Sequence, residues 1–346
     1  MHFSLFAHMI RQDGGAPMPT LHEQFVKLCR LADDGGMRAV WTGEHHCMNF
    51  TIAPNPFTLL VDIAGRTKNL RLGTATIVAP FWHPLKLAGE IAMTDVLTGG
   101  RLEVGIARGA YSYEYERLRP GMDAMRAGLE MREMLPLLPK LWAGDIAADG
   151  DTWRFPAATS APPPLQKPHP PVWIAARDPS SHEFAVANGW NVQVTPLWRG
   201  DEEIESLMQK FNDAVAKCRP KGKAQKPKIM LLLHTYIAKD EADAESAAHY
   251  LARFYRHFGA WFVNKSEVRG GFIAEPPADG GGEMFSAAAM RKNLLIATPE
   301  EAINRLRHYQ KLGFDEYSIW ADNMMPFADN AASVERFIGQ VMPAFQ

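Results

Sequence analysis

Short runs of apolar, β-branched and aromatic residues return eight times along the chain, and between them apolar positions recur every three or four residues. The first four runs are HFSLFAHM (2–9), AVWTGEH (39–45), LRLGTATIV (70–78) and RLEVGIARG (101–109). PVWIAAR (171–177), NVQVTPL (191–197), KIMLLLHTYIA (228–238) and EYSIWAD (316–322) complete the series. Runs of this length and composition, bounded by turn residues, predict strands; the longer 3.6-residue pattern predicts helices. In LHEQFVKLCRLADDGG (21–36), Leu21, Phe25, Leu28 and Leu31 fall on one helical face. The glycine pairs Gly35-Gly36 and Gly99-Gly100 suit left-handed caps at helix ends. Strand and helix alternate without a break in composition, which predicts an α/β chain folded over 1–346 as a single (β/α)8 TIM barrel. An open doubly wound sheet is the alternative, but RQDGGAP (11–17) lacks the G-x-G-x-x-G spacing of a dinucleotide turn.

Two segments interrupt the rhythm. Residues 144–171 are rich in proline and alanine and predict a surface insertion before strand 5. Residues 265–293 carry glycines at 270, 271 and 280–282 and prolines at 276 and 277. A long loop of this kind, unable to bury much apolar area, predicts a mobile lid over the barrel mouth.

Composition narrows the class. Of the 346 residues 47% are hydrophobic, enough for one large core. Lys and Arg total 37 against 39 Asp and Glu, with no block of like charge, so no nucleic-acid or anionic-membrane surface is expected. Three cysteines without a CxxC pair suit a reducing compartment. The first residues, MHFSLFAHMI, read as a strand and not as a signal peptide, and no run approaches the ~18 apolar residues of a membrane span. A soluble cytoplasmic protein is the expectation.

Barrel enzymes build their sites from C-terminal strand ends. Four strand ends here carry chemistry. In WTGEHHC (41–47), alternation sends Glu44 and His46 to one side and Gly43 and His45 to the other. A metal pair wants H-x-H on one face, so metal ligation is disfavoured. A hydrogen-bonded histidine pair remains the ordinary alternative; the favoured reading is an inward His45 in catalysis, with Glu44 or His46 behind it. GTATIVAP (73–80) offers small side chains against which a flat ligand could lie, or a helix could pack. Arg108 ends a strand, where a cation binds either an anion or a neighbouring carboxylate. In AARDPSSHEFA (175–185), Ser180 or Ser181 can cap a helix whose N-terminus also suits a phosphate. A phosphate between strands 4 and 5 with a flat group over strand 3 describes flavin mononucleotide (FMN). No mid-strand lysine supports Schiff-base chemistry.

These residues carry a resemblance. VWTGEHHCMNF, LRLGTATIVAPFWHPLKLAGEIAMTDVLTGGRLEVGIARGAY and PVWIAARDPSSHEFAVANG are similar, in order and spacing, to the bacterial luciferase family of flavin-dependent monooxygenases. FYRHFGAWFVN (254–264), TPEEAINRL (298–306) and VMPAF (341–345) extend the likeness. The resemblance implies a barrel that binds reduced FMN, or in one branch the deazaflavin F420, and passes oxygen through a C4a-peroxyflavin to a small, apolar organic compound. Reduced FMN would come from a separate NAD(P)H:flavin reductase. It implies His45 and Glu44 as catalytic, a cis peptide at Ala75–Thr76 against the flavin ring, and Arg108 and Ser181 on the phosphate. Arg177 and Asp178 replace the family's Glu-Ser, and Asp178 would repel a phosphate unless Arg177 offsets it. Ala107 stands where luciferase has a cysteine, and light emission is not implied. A homodimer is expected through helix 83–97, which carries the small residues Ala88, Gly89 and Ala92. An F420-dependent oxidoreductase, a metal-dependent barrel hydrolase and a non-enzymatic flavin-binding protein are the rivals.

Overall fold

The computed structural model describes residues 1–219 and 226–345. Eight parallel strands close on themselves: β1 (His2–Phe6), β2 (Ala39–Thr42), β3 (Arg71–Val78), β4 (Leu102–Ala107), β5 (Val172–Ala175), β6 (Asn191–Val194), β7 (Ile229–Ile237) and β8 (Glu316–Trp320). Closure runs from β6 to β7 (Val192 beside Ile229), β7 to β8 (Met230 beside Glu316) and β8 to β1 (Glu316 beside His2). All eight coincide with the apolar runs of the sequence. Each strand is shorter than its run: β2 and β8 stop before a polar tail, whereas β3 loses only Leu70 and β7 one residue at each end. The order is that of a (β/α)8 barrel.

The N-terminal end of the barrel is plugged by charge. Arg38 donates to Glu103 (2.5 Å) and Glu316 (2.6 Å), and Arg71 also pairs with Glu103. Burial raises the Glu103 carboxyl, but Arg38 and Arg71 outweigh it and hold the group below the usual carboxylate range. Trp41 and Trp173 fill the interior edge to face, their centroids 5.5 Å apart. A β-carbon at Gly73 would clash with the Trp41 ring. With its lower half filled this way, the barrel leaves space only at the C-terminal strand ends.

The two irregular segments are more ordered than expected. The insertion before β5 contains a hairpin (Ile146–Asp149 and Arg154–Ala158), and its buried Trp153 donates to Glu130 O (3.0 Å) on the helix Ala124–Met134. Residues 265–293 are not a bare loop. Val268–Arg269 and Phe272–Ile273 pair as a hairpin, a 3-10 turn follows at Gly282–Phe285, and Ala287–Asn293 is helical. The hairpin is tied down at its turn: Asn49 donates through Nδ2 to Gly270 O and through N to Gly271 O, both at 2.8 Å. Phe285 and Met290 are buried, so the second half of the segment belongs to the core. A further short strand, Leu295–Ala297, extends the sheet beside the distal end of β7.

Helix ends follow the glycine reading with one change. Gly36, Gly99 and Gly100 are left-handed (φ 76°, 63° and 77°), whereas Gly35 keeps helical φ. On the helix Pro84–Leu97, Ala88 and Ala92 are fully buried against their own barrel, and Trp142 Nε1 donates to Ala88 O. Gly89 alone of the three has open space beyond it, beside exposed Met93, Val96 and Leu97. No helix among the described residues is long and apolar enough to cross a membrane.

Candidate active site

A cavity of about 320 Å³ opens at the C-terminal ends of β2 to β7. Ala75 and Thr76 form one wall, Ala107 and Ala110 the next, and Ala175 and Ala176 the third, so the slot is lined by short side chains. The Ala75–Thr76 peptide is cis, and the β3–β4 ladder passes from Thr74 to Ile77 over these two residues. His45, Glu44, Arg108 and Arg177 border the same space.

Strand alternation sorted the histidines correctly. Glu44 and His46 share a side, with His46 Nε2 2.8 Å from Glu44 Oε1. The Glu44 carboxylate is buried and accepts from Val78 N (2.7 Å) and Trp82 Nε1 (2.9 Å). A carboxylate holding three donors anchors the cavity wall at Val78 and has little capacity left for proton transfer. His45 is turned the other way, with Nδ1 3.4 Å from Glu114 and its ring against Tyr111 (centroids 5.3 Å). Glu114 also accepts from His46 N (2.6 Å). His45 Nε2 has no partner among the described residues. Among those residues, no three His, Cys, Asp or Glu side chains are grouped as metal ligands would be.

Glu114 is one of three groups that sequence reading missed. The second is His8 with Asp322, from the ends of β1 and β8. His8 Nδ1 lies 2.9 Å from Asp322 Oδ2, and Gly43 N donates to Nε2 (3.1 Å). That acceptor role requires the neutral ring with its proton on Nδ1. Burial lowers the His8 pKa despite the opposing pull of Asp322, in keeping with the neutral form. A β-carbon at Gly43 would sit 2.8 Å from Nε2, so only glycine lets the ring approach. The His8 ring lies 5.7 Å from that of His45. The third is Gln193 on β6, which lines the cavity; its buried Oε1 has no partner among the described residues, and Nε2 lies 3.4 Å from Thr74 O.

The two arginines that border the cavity differ in their partners. Arg108 is exposed and donates to Ala124 O (2.7 Å); it has no carboxylate partner among the described residues, so it is not held in an ion pair. Arg177 is held by Glu203 (3.1 Å), while burial and nearby Arg199 lower its pKa. Asp178 and Ser181, expected near the phosphate, are not among the residues that line the cavity. Asp178 is the N-cap of the helix Pro179–Ala187: it accepts from Ser181 N (3.0 Å), Ser180 Oγ (2.7 Å) and Ser181 Oγ (2.9 Å). Burial raises the Asp178 carboxyl, but these hydrogen bonds prevail and hold it at about 2. The Ser181 hydroxyl donates within the cap, 2.8 Å from Asp178 O and 2.9 Å from Oδ2.

The description luciferase-like monooxygenase belongs to the family model that matches residues 1–316. The chain is 55% identical over 348 aligned residues to the flavin-dependent trigonelline monooxygenase, oxygenase component, of Acinetobacter baylyi, covering 100% of this chain and 96% of that one. Among solved structures, the monooxygenase RslO1 of Streptomyces bottropensis superposes with a TM-score of 0.83 at 25% identity over the whole of both chains. The oxygenating constituent of 3,6-diketocamphane monooxygenase of Pseudomonas putida, solved with FMN, has a TM-score of 0.78 over 99% of this chain and 98% of that one. At 17% identity that second likeness is one of fold.

Proposed function

The chain belongs to the luciferase-like monooxygenase family, and from that premise we propose that it is the oxygenase component of a two-component, FMN-dependent monooxygenase. It would take reduced FMN from a separate NAD(P)H:flavin reductase, consume O2 and place one oxygen atom on a small organic substrate, the other leaving as water. The observation that carries this reading is one cavity at the strand ends whose lining brings the small side chains Ala75, Thr76, Ala107, Ala175 and Ala176 together with His45 and with Arg108, a guanidinium that has no carboxylate partner among the described residues. Bound reduced FMN supplies the electron pair for that oxygen chemistry. Arg108 would hold the phosphate, since a guanidinium without a carboxylate partner is suited to a dianion. The unpartnered Gln193 Oε1 would accept a ring N–H, as a buried carbonyl left single costs free energy. His45 would move the proton at Nε2, oriented by Glu114 at Nδ1. Glu44 we assign to positioning the wall and His46.

The substrate class follows the relative of 55% identity: we take trigonelline, or a closely related N-methylpyridinium carboxylate, as the compound oxidised. This replaces the apolar compound expected from the sequence. A homodimer through the face bearing Gly89, Met93, Val96 and Leu97 is part of the proposal, because such an apolar stripe on a helix is costly to leave in water.

The test is an anaerobic titration with reduced FMN, oxidised FMN and reduced F420, then oxygen uptake with FMN, reductase and trigonelline. Reduced FMN should bind tightest, and oxygen uptake should rise with trigonelline and yield a product carrying one oxygen from O2. His45→Ala should keep FMN binding and lower product formation by about 10²–10⁴-fold. Binding of F420 alone, or turnover without oxygen uptake, would overturn the assignment.

A further inference from the structure

A second cavity, of about 200 Å³, lies beneath the 268–273 hairpin and outside the slot already described. Its walls are the rings of Phe50, Trp261 and Phe272, and its charged groups include Arg11, Arg253 and Glu275. Most of that charge is matched. Arg253 donates to both oxygens of Glu275 at 2.7 Å and to Gln12 Oε1 at 3.0 Å. His257 Nε2 lies 3.0 Å from Glu275, and burial lowers its pKa although Glu275 opposes this. Hydrogen bonds from Arg253, foremost, hold the Glu275 carboxyl at about 2, so Glu275 is the settled counter-charge of Arg253.

Arg11 is different. Its guanidinium rests over Phe272 at 5.7 Å from the ring centroid, its Nε is buried without a partner, and no carboxylate pairs with it among the described residues. Arg11 is partly buried, so its guanidinium keeps some contact with water, but a buried N–H without an acceptor and a cation without an anion favour a ligand that supplies both. Aromatic walls select a planar ring, and an unpaired guanidinium selects a carboxylate, which it can hold through two parallel bonds. The volume is below the roughly 300–1,000 Å³ of drug-sized pockets and suits a single substituted ring. An FMN-sized ligand would not fit. Gly271 borders both this cavity and the groove that contains His45, so the two spaces adjoin at the hairpin turn.

We propose that this cavity is a subsite for an aromatic carboxylate, in which Arg11 takes the carboxylate and Phe50, Trp261 and Phe272 take the ring. Arg11 is thereby a specificity-determining residue of the monooxygenase. The assignment of that ligand as substrate rests on the proposed function; the binding of an aromatic carboxylate does not.

Calorimetry on the full chain, without flavin, tests the subsite with trigonelline, nicotinate, benzoate and N-methylnicotinamide, which has no carboxylate. Arg11→Gln should weaken the carboxylate ligands by about 10- to 100-fold. N-methylnicotinamide and FMN should change by less than about 3-fold, and the circular dichroism spectrum should be unaltered. In turnover with FMN and reductase, the same variant should raise KM for trigonelline and leave kcat nearly unchanged. Phe272→Ala should weaken all ring ligands and leave FMN alone. Equal loss for carboxylate and carboxamide, no loss in Arg11→Gln, or wild-type protein that binds none of the carboxylates would overturn the subsite. Arg11-dependent binding of benzoate or nicotinate with no oxidation of trigonelline would leave the subsite standing and overturn the substrate assignment.

Discussion

Replacing Glu44 separates a positioning carboxylate from a catalytic one. Its oxygens accept from Val78 N, Trp82 Nε1 and His46 Nε2 at 2.7, 2.9 and 2.8 Å. In Glu44→Leu the first two donors are left buried without partners, at about 1–3 kcal/mol each, while half-exposed His46 can turn to water. The expected loss is about 4 kcal/mol. Unfolding entropy of about 2.1 cal/mol/K per residue over 346 residues gives about 0.7 kcal/mol/K, so Tm should fall by about 5–6 °C. In Glu44→Gln the amide oxygen keeps both buried donors, and its NH2 can donate to His46 once that ring takes the other tautomer. Only charge assistance is lost, about 1 kcal/mol, and Tm should fall by about 1–2 °C. Thermal melts followed by circular dichroism give the shifts; product per O2 consumed gives the chemistry. A Glu44→Leu melt within 1 °C of wild type would refute the anchoring role. A Glu44→Gln enzyme with a near-normal melt and product formation lowered by more than about 10²-fold would show that the carboxylate charge itself acts in the reaction.

Arg108→Ala should weaken FMN by about 10- to 100-fold and riboflavin, which lacks the phosphate, by less than about 3-fold; equal loss in a fluorescence titration would make Arg108 structural. His182 is fully buried with both ring nitrogens unpartnered, and burial, then Lys210, push its pKa to about 4. Its folded pKa lies below the unfolded value of about 6.5, so the unfolded chain takes the proton first and stability is lost as pH falls from 6.5 toward 4, by about 3 kcal/mol. His182→Leu should flatten that part of the Tm–pH curve, and an unchanged slope would contradict the assignment. Limited trypsin should cut first at exposed Lys265 or Arg269, ahead of Arg291, whose guanidinium is engaged with Ile296 O and Glu241. Reduced FMN with substrate should slow that cut if the hairpin closes over the site, and a first cut elsewhere would deny the hairpin a lid role.

The barrel was legible because each of its strands is a dense apolar run closed by turn residues, and such runs keep their character wherever the strand lies in the sheet. The smaller elements were not. Leu295–Ala297 has three residues, too few for a period, and it is a strand only because the end of β7 outruns β8 and leaves an edge beside it. The 268–273 hairpin is two residues on each side, and its glycines read as looseness when they serve the turn at φ 56° and 81°. Its order comes from Asn49 and from Glu275 with Arg253, contacts that span more than 20 residues and leave no trace in local spacing.

The same distinction divides the site. His45 was read from alternation, Ala75 and Thr76 from their small side chains and Arg108 from its place at a strand end, and all four border one cavity. His8 with Asp322 spans 314 residues and His45 with Glu114 spans 69, so neither pair could be read from periodicity. Asp178 shows how local and distant roles compete. An aspartate in the sequence D-P-S-S is a favourable N-cap on its own terms, and the structure uses it so. A phosphate at that helix end would have to take the Ser181 N–H from a carboxylate already held at about 2, against its charge. With the N-terminus of the helix spent on its own cap, the proposal that Arg108 takes the cofactor's phosphate rests on that side chain's having no carboxylate partner among the described residues.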